Sequence, residues 1–253
     1  MSSPGAPEPG PEAGAAQAGP GAEAGPGAAR LPEDPRSIWL SFEPPDDPPL
    51  RAKHRLVQQV HQLIETVALL DTRQCPASEL DVVASLVSDV NARAATLPSL
   101  REKGGMTASE GYDASLLERS GITGRSNPVA PPIQVTVDGD RIRAWATYGA
   151  VYEGPPGCLH GGFIAAAFDD LMGMAQVTSG RAGYTGTLTV KMRRPTPLYQ
   201  RIDYEAWVER TQGRKIWVKA TSKAADVLLC EAEILFIAPR WDITEEPGRS
   251  PLP

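Results

Sequence analysis

The sequence predicts an α+β protein in which an antiparallel sheet wraps around one long buried helix, with a helical extension ahead of it. Beyond Pro132 the apolar residues alternate with period two, the mark of strands with one buried face. The stretch Gly161 to Ser179 interrupts these strands. It is apolar on every side, through Phe163, Ile164, Phe168, Leu171, Met172, Met174 and Val177, and so reads as a buried helix. Upstream, two segments follow the 3.6-residue period instead. One apolar helix laid on strands joined by short turns gives two layers around one core.

From Met1 to about Arg36 the chain is mostly Pro, Gly, Ala and Glu. With so little to bury it cannot offset its ordering entropy, and residues 1–37 are expected to form a disordered tail. Residues 38–123 then form an arm and helical extension. Ile38, Trp39, Leu40 and Phe42 make an apolar island that fits either packing on the body or docking to a partner. Leu56, Val57, Val60, Leu63, Ile64, Val67 and Leu70 mark a first amphipathic helix. Leu80, Val83, Ala84, Val87 and Val90 mark a second. Cys75-Pro76 breaks the chain between them and Ser78 suits an N-cap, so the pair reads as a helical layer or hairpin. His54 and His61 share a face of the first helix, but a metal pair wants closer spacing and further ligands, so no metal is expected. Gly104 to Pro132 reads as irregular chain.

Residues 124–239 carry the sheet. Ile133, Val135 and Val137 alternate, Asp138-Gly139-Asp140 makes a tight turn, and Ile142, Ala144 and Ala146 resume the alternation. After the helix, Leu188, Val190 and Met192 mark the next strand, followed by Ile202, Tyr204, Ala206 and Val208. Ile216, Val218 and Ala220 come next, then Leu228, Cys230, Ala232, Ile234 and Phe236. Gln212-Gly213 and Ala225-Asp226 supply the later turns. Residues 240–253 read as a flexible tail.

A formal net charge of -6 gives no basic field for nucleic acid, so an anionic ligand would need a local cluster. Cys75, Cys158 and Cys230 form an odd set without CxxC spacing, which favours free thiols in a reducing compartment. No apolar run suits a membrane span and no leader of the secretory kind is visible, so a cytoplasmic protein is expected. The apolar helix nevertheless carries two adjacent carboxylates, Asp169 and Asp170. An unpaired buried carboxylate costs several kcal/mol, so each calls for a hydrogen-bonded partner or for chemistry.

Three motifs give the chain a resemblance to a known family. His160-Gly161-Gly162 is followed by Asp169, nine positions beyond the histidine. Thr185-Gly186-Thr187-Leu188-Thr189-Val190-Lys191-Met192-Arg193-Arg194-Pro195 is a strand ending in a basic pair and proline. Gly213-Arg214-Lys215 turns between the next two strands. In this order they resemble the hotdog fold of acyl-CoA thioesterases, in its PaaI-like branch, over about Gly124 to Ala238. Many members of that family place an Asn shortly before the His-Gly-Gly. Here the loop reads Tyr152-Glu153-Gly154-Pro155-Pro156-Gly157-Cys158-Leu159, so that role is unfilled.

The resemblance implies hydrolysis of an acyl-coenzyme A, with coenzyme A as part of the substrate and no separate cofactor. It implies Asp169 as base or nucleophile and Thr185 at the position that orients water, with an ordinary strand threonine as the alternative for Thr185. Gly161 and Gly162 lie where a helix leaves its first N–H groups unpaired, which suits them to hold an oxyanion. His160 fits a brace for the helix start, with direct proton transfer as the alternative. Asp170 fits a structural carboxylate, with the catalytic role of Asp169 as its alternative. Lys191, Arg193 and Arg194, with Arg214 and Lys215 across the sheet, are the basic residues available to coenzyme A phosphates, one or two of them being expected to bind and the rest to be solvated edge charges.

Gly162 and Asp169 are separated by roughly 10 Å of helix rise, too far for one carbonyl to touch both. Two helices antiparallel across a dimer would bring the Gly end of one to the Asp of the other. A homodimer sharing its sites is therefore expected, a tetramer being left open. Three rival readings are a non-catalytic acyl-CoA-binding module, a hotdog hydratase or dehydratase, and an interaction protein that works through residues 38–100. The carboxylate pair disfavours the first and the lack of a His–acid pair in the domain disfavours the second.

Overall fold

The computed structural model describes residues 47–100 and 116–239. The expectations for residues 1–37, for the 38–42 island and for the tail 240–253 fall outside these residues. Helix α1 spans Pro48–Ala68, α2 spans Ala77–Ala95 and the short α3 spans Leu116–Arg119. Strands β1 (Gln134–Asp138) and β2 (Arg141–Thr147) follow, then a 3-10 turn at Ala150–Tyr152 and helix α4 at Gly161–Val177. Strands β3 (Tyr184–Met192), β4 (Arg201–Gln212), β5 (Lys215–Ala224) and β6 (Val227–Ile237) complete the chain. No helix among the described residues is long and apolar enough to cross a membrane.

All six strands form one antiparallel sheet in the order β1-β2-β4-β5-β6-β3. The chain leaves β2, crosses the sheet as α4 and re-enters at the far edge as β3. The alternating residues of the central strands line the covered face: Ile142, Ala144 and Ala146, then Ile202, Tyr204 and Ala206, then Ile216, Val218 and Ala220. Against them α4 packs Ile164, Phe168, Leu171, Met172 and Met174. Small alanines on the sheet let the helix come close. Tyr148 and Tyr204 bury their hydroxyls by bonding each other at 2.9 Å, which removes an unpaired-polar cost of about 1–3 kcal/mol.

The expectation that α4 is buried all round is corrected. Gly162 and Asp169 are exposed, and Ala165, Ala166 and Gly173 are only half-buried. At three- and four-residue spacing these make one stripe of the helix. A single sheet covers one side of a helix, and nothing else in the described chain covers the other. Strand β3 is exposed along most of its length for the same reason, lying at the sheet edge.

The upstream helices also differ from a closed hairpin. Helix α1 starts as its sequence dictates, with Pro48 and Pro49 in the first turn and Asp47 accepting the Leu50 N–H at 3.5 Å. It docks on the sheet domain through Leu50 and Val57, and meets the Ala150–Tyr152 turn. Helix α2 begins ahead of Ser78, because the Pro76 carbonyl already accepts the N–H groups of Glu79 and Leu80. None of its residues is buried. The stripe that α1 buries is spent on the sheet domain, so no hairpin core forms between the helices.

Glu118 of α3 is the hub of α1 docking. It is 1% exposed, and its carboxylate meets His54 Nε2 at 2.7 Å, Arg125 Nε at 3.2 Å and the Ser126 hydroxyl. A buried carboxylate is tolerable only when partnered in this way. His54 thus has a structural partner. Leu117 enters the core beside it.

Candidate active site

The site is built at the start and the middle of α4. At its start His160 is the N-cap, with φ -63 and ψ 134, and its Nδ1 accepts the Gly162 N–H at 3.0 Å. That is the brace expected of His160. It also occupies one of the two glycine amides expected to be oxyanion donors. The Gly161 N–H is the one left without a protein acceptor among the described residues. It sits at the positive end of the helix dipole. A β-carbon on Gly161 would lie 3.2 Å from Met192 Cε, so this helix start lies against the end of β3.

The loop before the helix is tightly held. Gly154 N–H bonds Cys158 O at 2.9 Å, Leu159 N–H bonds Thr196 O at 2.8 Å, and His160 N–H bonds Tyr152 O at 2.9 Å. The Glu153 carboxylate accepts the Gly157 N–H at 2.6 Å, where Gly157 takes φ 73. These bonds fix the direction of the first helical amides without the family's asparagine. Phe163 packs edge-on to Tyr152 with ring centres 5.0 Å apart, and Tyr152 on Tyr148 at 5.6 Å.

Two turns further along, Asp169 stands on the uncovered stripe. The Thr185 hydroxyl donates to its Oδ1 at 3.0 Å. Thr185 reaches it because β3 is bulged between Thr185 and Thr187, with Gly186 in the irregularity close under Leu235 O. The bulge went unread in the sequence, although a glycine inside a strand pattern is its signal.

Asp170 points elsewhere, about 100° around the helix. It accepts from Thr123 Oγ1 at 2.5 Å and Ser120 Oγ at 2.8 Å. Burial pushes its pKa up, partly offset by those two hydroxyls. Ser120 also accepts the Ile122 N–H at 3.0 Å, so the loop after α3 is clasped to the helix. Sequence reasoning missed Ser120, Thr123 and Glu118, because an irregular segment has no periodicity from which to read a contact.

The five basic residues do not form one cluster within the chain. Lys191 pairs in register with Glu231, whereas Lys215 pairs with Ile237, six positions along β6. That separates them by roughly 20 Å. Lys191 lies on the sheet face opposite the helix, and Arg193 Nε bonds Glu231 at 2.7 Å. Arg194 follows it, with its backbone N–H on Leu229 O at 3.0 Å. Arg214 Nε donates to Ala238 O at 2.7 Å, and Lys215 is exposed. One basic group therefore accompanies the Gly161 end of the helix and the other the Thr185 end.

Comparison with known proteins adds a family context. Acyl-coenzyme A thioesterase THEM4 of Xenopus laevis is 36% identical over 91 residues, which is 35% of this chain and 41% of the frog protein. The Mus musculus protein of the same name is 33% identical over 87 residues, covering 34% of this chain and 37% of that one. The chain thus spans well under half the length of these curated relatives. Among solved structures, a crystallised thioesterase superfamily protein superposes with a TM-score of 0.63 at 26% identity, covering 77% of this chain and 97% of that chain. That coverage exceeds the sheet domain and takes in upstream chain as well. No protein-family model matches. The antiparallel sheet wrapped on α4 is the hotdog fold.

Proposed function

We propose that this hotdog domain hydrolyses the thioester of an acyl-coenzyme A, at sites completed by two copies of the chain. The observation that carries the reading is the split of its chemistry. The free Gly161 amide lies at one end of α4, and the Asp169–Thr185 pair stands on the uncovered stripe two turns away. A second copy related by a two-fold axis, its α4 antiparallel to the first, would set its own Asp169 opposite this Gly161. The same operation would bring Lys215 and Arg214 of one copy toward the Arg193 end of the other. The phosphates of coenzyme A would then find charge from both.

In the reaction, the Asp169 carboxylate either takes a proton from a water as that water attacks the carbonyl carbon, or attacks the carbon itself to give a mixed anhydride that water then opens. Thr185, donating to Oδ1, fixes the carboxylate rotamer and leaves Oδ2 for the reaction. The Gly161 N–H stabilises the negative charge growing on the carbonyl oxygen. The carbon–sulfur bond breaks, and coenzyme A leaves as a thiolate. The acyl chain would lie on the half-covered residues of α4. The names of the curated relatives, acyl-coenzyme A thioesterases, support this chemistry.

The test is free-thiol release from a panel of acyl-CoAs by wild type, Asp169→Asn and Asp170→Asn, with mass measured in solution. Loss confined to the Asp169 variant, in a protein that is at least dimeric, is the expected result. Binding of acyl-CoA without turnover by wild type would make the domain a ligand-binding module instead.

A further inference from the structure

We infer that α1 and α2 form an exchanged arm, in which the apolar seam of α2 in one copy seats on the seam of α1 in a second copy. This rests on the two-copy reading above and extends it to a second contact remote from the catalytic helices. Helix α1 carries two stripes. Leu50, His54, Val57 and His61 turn toward its own sheet domain, where Leu50 and Val57 are buried and His54 holds Glu118. Leu56, Val60, Leu63 and Val67, alternating by four and three, form the other. Of these Leu56, Leu63 and Val67 are exposed. Helix α2 repeats the pattern with Leu80, Val83, Val87 and Val90. Val90 is 62% exposed and neighbouring Leu86 60%.

A seam of this spacing is the surface that a second helix fills. A contiguous exposed apolar patch marks an interaction site. Among the described residues none of helix α2 is buried, whereas most helical stability in proteins comes from packing an apolar face. Charge selects the partner. Helix α1 carries Arg51, Lys53 and Arg55 against Glu65, a surplus of cations, while α2 carries Glu79, Asp81 and Asp89 against Arg93, a surplus of acids. Like helices from two copies would repel, and unlike ones attract. Since α2 is unburied among the described residues of its own chain, we assign the complementary α1 to the second copy. The root of the arm agrees with this. Helix α1 meets the Ala150–Tyr152 turn, whose Tyr152 carbonyl holds His160 at the start of the catalytic helix.

The test uses the full chain with Cys75→Ser and Cys158→Ser, co-expressed as two tagged copies. One carries Leu63→Cys and the other Val87→Cys, both at exposed seam positions, and a short flexible bis-maleimide is added. The expected result is a cross-linked pair containing both tags, abolished by adding Val83→Asp and Val90→Asp to the Val87→Cys copy. Cross-linking of the Val87→Cys copy to itself, or closure at single-chain mass when both cysteines are on one chain, overturns the exchange. A dimer by light scattering that gives no mixed cross-link overturns the arm alone. A monomer by light scattering overturns the arm and the shared catalytic site together.

Discussion

The Thr185 hydroxyl donates to Asp169 Oδ1 across 3.0 Å, tying a bulge at the sheet edge to the one carboxylate on the uncovered stripe of α4. Asp169 is exposed in the single chain, so its burial does not mark it out. Its position and its partner do.

Thr185→Val keeps the shape of the strand and removes the donor. A hydrogen bond to a charged group contributes about 1.5–3 kcal/mol, so acyl-CoA hydrolysis should fall about tenfold to hundredfold, in kcat with little change in KM. Thr185→Ser should recover most of the rate. Equal activity of the Val variant would remove Thr185 from the mechanism.

Gly161 offers a cleaner deletion. Proline is tolerated at the first position of a helix, and His160 already has the extended backbone that proline requires of its predecessor. Gly161→Pro should therefore fold and melt near wild type while losing its N–H. Loss of one oxyanion donor costs about a hundredfold to a thousandfold in kcat. Gly161→Ala, which keeps the amide and meets only the flexible end of Met192, controls for bulk. If the two variants are equally slow, space rather than the amide is what Gly161 provides.

Asp170 predicts a pH-dependent stability. Its folded-state pKa is raised by burial, so it holds a proton more tightly folded than unfolded. Its contribution is full below the ordinary carboxylate range and is lost as pH rises through the raised value. Asp170→Asn can still accept from Thr123 and Ser120 but carries no charge. It should melt above wild type at about pH 8 and lose that lead as pH falls toward about 4. A melting difference that does not vary across this range would show that the buried charge is not the cause.

Ala225 closes the β5–β6 turn with φ 50, a left-handed backbone that costs a residue with a β-carbon roughly 1–2 kcal/mol. Part of that gain is offset by the greater freedom of glycine when unfolded. Ala225→Gly should stabilise the fold by about 0.5–1 kcal/mol in urea denaturation, with hydrolysis unchanged. A loss of stability would place some other strain at this turn.

Much of this protein was legible in its sequence. Period-two residues such as Ile202, Tyr204 and Ala206 lie on the covered sheet face, because a strand's faces are fixed by its own repeat. Gly139 and Gly213 marked their turns by the backbone they alone adopt easily, at φ 63 and φ 56. The motif His160-Gly161-Gly162 announced a helix start because cap chemistry is local.

Tertiary structure decided what depends on residues distant in the chain. Asp169 and Asp170 are adjacent and chemically identical, yet one faces outward to Thr185 and the other inward to Ser120 and Thr123. Only the seating of α4 on the sheet sets that rotation. The basic residues looked like one cluster when their strands were read as neighbours, but the register of β3 and β5 on β6 sends them to opposite ends. The periods of α1 and α2 predicted apolar faces but left open whether the two helices form a layer or a hairpin. A period fixes which side of a helix is apolar, whereas the identity of what covers that side is a contact between surfaces, and no local repeat encodes it.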